Sequence, residues 1–217
     1  MLVGWGSKIH YCIFGLDKMK VAVIKYNSGN VQSVLYALER LGANAELTDD
    51  PEKIRAADKV IFPGQGEAST AMKYLKARNL DMLIKELKQP FFGVCLGLQL
   101  LCTHSEENDT ECLGVFPVKV KKFVPENSQE FKVPHVGWNE LENLADNPLL
   151  KDLPANPFVY YVHSFYAEMA TETIASTHYI HDFSAMLHRD NYYAIQAHPE
   201  KSGLVGEKLL SNFLNIK

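Results

Sequence analysis

The sequence predicts one α/β domain built on a mixed sheet, and three observations predict it. From Lys20 to about Cys102, short apolar runs alternate with helical periodicity, the pattern of βαβ units whose parallel sheet is covered on both faces. Beyond that point, period-two and aromatic runs take over and add further strands. The 217 residues are 47% apolar, enough for a core that buries roughly 70–75% of the unfolded surface without a metal or disulfide staple.

The elements follow in chain order. Val21 to Ile24 is an unbroken apolar strand that runs into the turn Tyr26-Asn27-Ser28-Gly29-Asn30. Val31, Val34, Leu35, Leu38 and Leu41 recur at three- and four-residue spacing, a helix that Gly42 stops. Ala43 to Leu47 reads as a strand, and Asp49-Asp50-Pro51 opens a short helix. Val60-Ile61-Phe62 is a buried strand leading into Pro63-Gly64-Gln65-Gly66. Helical stretches around Met72–Ala77 and Asp81–Lys88 precede another buried strand, Phe91-Phe92-Gly93-Val94, and a helix from Leu96 to Cys102. In the second half, Val118 to Lys121 alternates with period two, and Pro157 to Ala167 reads as one long aromatic strand. Ile174–Tyr179 and Ala185–His188 are strands, the latter turning at Arg189-Asp190-Asn191 into Tyr192–Ala197. Glu207 to Ile216 closes the chain as an amphipathic helix, and no repeat or linker divides the halves.

Composition narrows the function. The 22 Lys and Arg face 26 Asp and Glu, a net charge of −4, without the basic excess of a dedicated nucleic-acid binder. No run of about 18 apolar residues exists, so no transmembrane helix is expected. Aromatics at 11% argue against disorder. Cys12, Cys95, Cys102 and Cys112 form no CxxC pair, which points to reduced thiols in a cytoplasm. A zinc site from Cys102, His104 and Cys112 lacks the paired spacing of structural sites, so neither metal nor cofactor is expected. Residues 1–18 lack the basic start and apolar core of a secretory signal. They read as an extension from a non-native or upstream start, with an added strand or lid as the alternative, and the domain is residues 19–217.

Gly93-Val94-Cys95-Leu96-Gly97 is the strongest local signal. In this G-x-nucleophile-x-G form a strand enters, the chain turns sharply and a helix leaves, which pushes the Cys95 side chain out over the sheet edge. The free N–H groups of the helix start favour thiolate over thiol. A buried structural cysteine between packing glycines is the alternative. A nucleophilic thiol needs a base and a group that orients the base. His198-Pro199-Glu200 follows an apolar run, and residues i and i+2 of an extended segment share a side, so Glu200 can hold the His198 ring. Pro63-Gly64-Gln65-Gly66 follows a buried strand and suits an oxyanion hole completed by the N–H of Leu96. An ordinary turn or a phosphate loop are the other readings of those glycines, the latter without the Gly-Lys-Ser/Thr it needs.

With these motifs the chain resembles the class I (triad) glutamine amidotransferases, on Gly93-Val94-Cys95-Leu96-Gly97-Leu98-Gln99 and His198-Pro199-Glu200. Further stretches resemble the branch of that family that serves histidine biosynthesis. They are Tyr26-Asn27-Ser28-Gly29-Asn30, Pro63-Gly64-Gln65-Gly66, the run from Lys132 to Asn139, the run from Tyr160 to Tyr166, and Lys201-Ser202 after the triad glutamate. The likeness runs from Met19 to Lys217. It implies a flavodoxin-like three-layer fold with a mostly parallel mixed sheet flanked by helices. It implies that Cys95 attacks the side-chain amide of L-glutamine, with His198 as base and then acid and Glu200 orienting it. Gly64, Gln65 and Leu96 would form the oxyanion hole, and Gln99 would contact glutamine.

The resemblance also implies a partner. Ammonia set free in neutral water becomes ammonium, which is not nucleophilic, so the branch passes it to a (β/α)8-barrel cyclase. There it is consumed in making imidazole glycerol phosphate and an aminoimidazole carboxamide ribonucleotide. Asn30, Trp138, Asn139, Tyr160, His163 and Lys201 would face that cyclase, in a heterodimer. Core packing of a strand is the other reading of Tyr160, Tyr161 and Phe165. Gln65 departs from the family, which commonly carries valine there; a position that works through its backbone N–H tolerates the change. The family's loop peptide is held to point the wrong way until the partner binds its nucleotide, so the isolated chain is expected to be a poor glutaminase.

Overall fold

A computed structural model of the chain describes residues 19–26, 31–127 and 129–217. The expectations for residues 1–18 and for Asn30 lie outside the described residues. Among them the first half is strand–helix alternation. β1 (Lys20–Ile24) is followed by α1 (Gln32–Arg40), β2 (Asn44–Thr48), α2 (Pro51–Arg55) and β3 (Lys59–Phe62). Then come α3 (Ala68–Ala77), α4 (Leu80–Glu86), β4 (Phe91–Val94) and α5 (Leu96–Leu101). The second half adds a short hairpin, β5 (His104–Ser105) and β6 (Thr110–Glu111), then β7 (Lys119–Lys122), β8 (His135–Glu140), β9 (Phe158–His163) and β10 (Phe165–Ala167). β11 (Thr173–Tyr179), β12 (His181–Arg189), β13 (Tyr192–Ile195) and α6 (Gly203–Asn215) complete it.

The main sheet runs β2-β1-β3-β4-β13-β12-β10-β7-β5-β6, with β11 paired to β12 off that path. β2, β1, β3, β4 and β13 are mutually parallel, and the strands beyond β13 are largely antiparallel. Helices cover both faces. Ala22 and Ile24 of β1 join the core layer that holds Leu75, Leu83 and Leu98 of α3, α4 and α5. Val21 and Val23 point the other way, into the layer built by Val34 and Leu38 of α1 and Leu209 and Phe213 of α6. That alternation on a strand buried on both faces is why β1 reads as a continuous apolar run.

The helix starts follow local chemistry. Asp50 caps α2 by accepting the Glu52 N–H at 2.9 Å, with Pro51 in the first turn. Glu67 caps α3 through the N–H groups of Ser69 and Thr70.

One expected element divides in two. Pro157–Ala167 is not a single strand: β9 pairs with β8 in a separate two-stranded ribbon, whereas β10 joins the main sheet between β12 and β7. The chain changes sheets at Ser164, whose carbonyl accepts the Phe123 N–H at 3.0 Å. β8 itself and the β5–β6 hairpin are additions to the expected elements.

Candidate active site

Cys95 sits where β4 turns into α5. Its backbone adopts φ 50°, ψ −107°, a region that L residues rarely enter, and its N–H donates to the Ile195 carbonyl of β13 at 2.8 Å. Three glycines make the turn possible. A Cβ on Gly93 would lie 2.8 Å from the Gly97 carbonyl oxygen, and one on Gly97 would lie 2.2 Å from the Phe62 oxygen at the end of β3. A Cβ on Gly64 would overlap the Val94 oxygen at 1.9 Å and the Leu96 nitrogen at 2.3 Å. Two loops and a helix therefore meet at backbone distance around one side chain.

His198 and Glu200 arrive from the end of β13. His198 Nδ1 lies 2.7 Å from Glu200 Oε1, and both side chains are 3% exposed. Their route differs from the extended segment expected, because Pro199–Lys201 is a 3-10 turn that brings the carboxylate back to the ring. With Nδ1 committed to Glu200, Nε2 is the ring nitrogen left to face the Cys95 thiol. Burial disfavours a charged ring, but the hydrogen bonds to Cys95 and Glu200 and their charges raise its pKa to about 10. Main-chain contacts fix the position: the His198 N–H donates to the Tyr160 carbonyl at 2.9 Å, and Ser202 Oγ to the His198 carbonyl at 2.6 Å.

A cleft of about 380 Å³ opens over these groups, lined by Gly64, Gln65, Cys95, Leu96, Gln99, Glu107, His163, His198 and Lys201 among others. The expected triad, loop and Gln99 are thus brought together. Leu96 begins α5, whose first N–H groups have no partner within the helix. The Gly64 loop is tied back: the Tyr26 hydroxyl donates to the Pro63 carbonyl at 2.6 Å, and burial pushes the phenol pKa up. Gln99 is buried, and its Nε2 donates to both the Phe165 carbonyl and Gln196 Oε1, at 3.0 Å each.

The residues expected at a partner interface divide. Trp138 (55% exposed) and half-buried Tyr160 face each other across β8 and β9, Lys201 is exposed at the cleft rim, and Asn139 donates to the His178 carbonyl at 2.9 Å. His163 instead points inward. Its Nε2 lies 3.1 Å from His135 Nδ1, its Nδ1 2.7 Å from the Phe165 oxygen, and burial lowers its pKa to about 3. On a strand whose residues alternate sides, His163 shares the inner side with Val159 and Tyr161, opposite to Tyr160.

Two site residues were missing from the sequence reading. Gln196 Nε2 lies 3.5 Å from Cys95 Sγ; the i, i+2 spacing to His198 was the available signal. Glu107 lines the cleft from the β5–β6 connection, and burial raises its carboxyl pKa. A two-residue strand with no periodicity gave no sign of it.

The model of the family Glutamine amidotransferase class-I matches residues 22–216. Imidazole glycerol phosphate synthase subunit HisH of Bacteroides thetaiotaomicron is 56% identical over 198 residues, which is 91% of this chain and 100% of that protein. The protein of the same name from Idiomarina loihiensis is 44% identical, over 91% of this chain and 98% of its own length. Among solved structures, a glutamine amidotransferase superposes with a TM-score of 0.68 at 19% identity, covering 89% of this chain and 96% of that one. PurLQS from Thermotoga maritima gives 0.67 at 18% identity, over 91% and 98% of the two chains. At such identity these structures speak for the three-layer fold alone.

Proposed function

The chain belongs to the class-I glutamine amidotransferases and, within them, to the glutaminase subunits of imidazole glycerol phosphate synthase in histidine biosynthesis; from that premise we propose that Cys95, His198 and Glu200 perform its glutaminase chemistry. The buried His198–Glu200 pair, set beside Cys95 in one cleft, is the observation that carries this reading. His198 takes the Cys95 proton, and the thiolate attacks the carboxamide carbon of glutamine. As the C–S bond forms, the carbonyl oxygen becomes an oxyanion met by the Leu96 N–H and the Gly64–Gln65 loop. His198 Nε2 then gives its proton to the amine as the C–N bond breaks, leaving ammonia and a γ-glutamyl thioester. Water adds with its proton passing to His198, the C–S bond breaks, and glutamate departs. Glu200 keeps the ring in the tautomer these transfers require.

Glutamine also has to be held. Both N–H groups of Gln99 are engaged, so its amide offers a ligand only the acceptor Oε1. That acceptor and the Glu107 carboxylate suit the α-ammonium of an amino acid. The Tyr26 hydroxyl ties the loop back at the Pro63 carbonyl, which supports the reading that the oxyanion hole is incomplete until a partner shifts that loop.

The partner we propose is the (β/α)8-barrel cyclase, in a heterodimer. Val136 and Trp138 of β8 and Phe158 and Val162 of β9 are exposed on one face of the ribbon, with Tyr160 between them, directly beside the cleft. An apolar face of this kind marks a docking surface. Trp138, Asn139, Tyr160 and Lys201 lie toward that partner, residues 19–217 form the functional domain, and residues 1–18 are an extension of it. No helix among the described residues is long and apolar enough to cross a membrane; we place the activity in the cytoplasm.

Glutamate release by the full chain is measured alone and with the cyclase subunit and its nucleotide. Alone it is expected to be slower by roughly 10²–10³-fold, the worth of one oxyanion donor; equal rates overturn the gating. Cys95→Ala is expected to abolish glutamine-dependent synthesis while added ammonium salt still supports it. Loss of both activities assigns Cys95 a structural role instead.

A further inference from the structure

We propose that Gln196 is a positioning residue for the nucleophile, its side-chain amide donating an N–H to Cys95 Sγ and holding the thiolate at the strand end. This rests on the reading of Cys95 as nucleophile.

The argument begins from one backbone carbonyl. The Phe165 oxygen at the start of β10 can only accept, so the Gln99 atom 3.0 Å from it is Nε2. The same Nε2 lies 3.0 Å from the Gln196 amide, which must present Oε1 to it. The other end of the Gln196 amide is then Nε2, and it lies 3.5 Å from Cys95 Sγ. A single acceptor fixes two amides in turn and delivers a donor to the sulfur.

Gln196 is fully buried, and its backbone N–H is already paired with the Ala185 carbonyl at 2.8 Å, so the strand does not need the side chain's hydrogen bonds. In register, Ile195 of β13 pairs with Val94 of β4, which sets Gln196 beside Cys95. Its Oε1 accepts from Gln99, and an amide buried this deeply is costly unless its N–H end is matched as well. A hydrogen bond to an ionised sulfur is stronger than one to a neutral thiol, so this donor acts mainly on the thiolate. His198 approaches the sulfur as the proton carrier; Gln196 has no proton to exchange and therefore holds the same charge throughout the cycle.

Among the described residues, Tyr26, Glu107, His163, His198, Glu200 and Lys201 are ionisable groups around Cys95 and its base, and Gln196→Met and Gln196→Glu leave all of them in place. The test is the rate of Cys95 alkylation by iodoacetamide against pH, in the full chain with its cyclase partner, beside kcat and KM for glutamate release. Gln196→Met keeps the volume and removes the donor. Its alkylation midpoint is expected to rise by about one pH unit, a tenfold loss of thiolate at fixed pH. Its kcat is expected to fall at least tenfold with KM changed less than threefold. Gln196→Glu, isosteric and once ionised without a donor toward the sulfur, is expected to raise the midpoint further. A midpoint unchanged in whichever of these variants folds overturns the proposal. If wild-type Cys95 resists alkylation, or Cys95→Ala still releases glutamate, the nucleophile reading itself has failed.

Discussion

The end of β4 and the β8–β9 ribbon lie side by side, yet they are finished to different degrees. At the first, Cys95 is 8% exposed, His198 2%, and the carboxylate, amide and glycines around them are all supplied by this chain. At the second, the inner face is complete, with His135, Val159, Tyr161 and His163 buried, while the outer face leaves Trp138 55% and Val136 56% exposed. The groups around Cys95 are buried and matched within the chain, whereas the ribbon leaves an apolar face uncovered. The two regions touch at Tyr160, whose carbonyl holds the His198 N–H and whose own N–H donates to Ser202 Oγ at 2.9 Å.

The contrast predicts that damage to the two regions separates cleanly. The largest effect belongs to the turn. Gly64→Ala places a methyl group against the Val94 carbonyl oxygen and the Leu96 nitrogen, backbone atoms that cannot yield without displacing the Leu96 N–H donor. Glutamate release is expected to fall by about 10²–10³-fold even with the partner bound, as for loss of one oxyanion donor. Near-normal kcat in this variant would break the distinction. Trp138→Ala is expected to do the opposite. Its ring projects outward, so the thermal midpoint of the isolated chain should barely move, whereas affinity for the cyclase should drop by about 2 kcal/mol, roughly thirtyfold. Titration calorimetry of the two subunits checks it.

The smallest effect sharpens the view of the ribbon's inner face. Burial lowers the pKa of His135 to about 4 and of His163 to about 3, from an ordinary 6.5. Both rings bind protons more weakly folded than unfolded, so acid favours the unfolded chain. Stability is full above pH 6.5 and falls below it, by at most about 1.4 kcal/mol per pH unit for each ring. His135→Phe is expected to shrink that slope in urea unfolding between pH 6.5 and 4. An identical slope would mean that other groups set the acid sensitivity.

Much of this was legible in the sequence where one short segment decides its own structure. Gly93 to Gly97 reads as a strand–turn–helix because an apolar run enters, two glycines flank the turn and a helical pattern follows. The alternating βα half was equally readable, since its strands are buried on both faces. Legibility failed where pairing partners decide. Nothing in Pro157–Ala167 marks Ser164 as the point of transfer between two sheets; the aromatic alternation continues through it. β8 was hidden because Pro134 and Gly137 break up its pattern. His163 was placed by its neighbours' resemblance and not by its side of the strand, although the two-residue period puts it opposite Tyr160. His198 and Glu200 meet through a 3-10 turn where an extended segment was expected. The pairing was visible and its geometry was not.

The hydrogen bond from the His198 amide to the Tyr160 carbonyl turns one proton into a gauge. That amide is sheltered only while β9 rests on the triad turn, so its exchange with deuterium records how often the ribbon lifts away from the imidazole's own backbone. Slowing of that exchange on docking would express, in seconds or hours, how firmly a neighbouring subunit steadies the catalytic base.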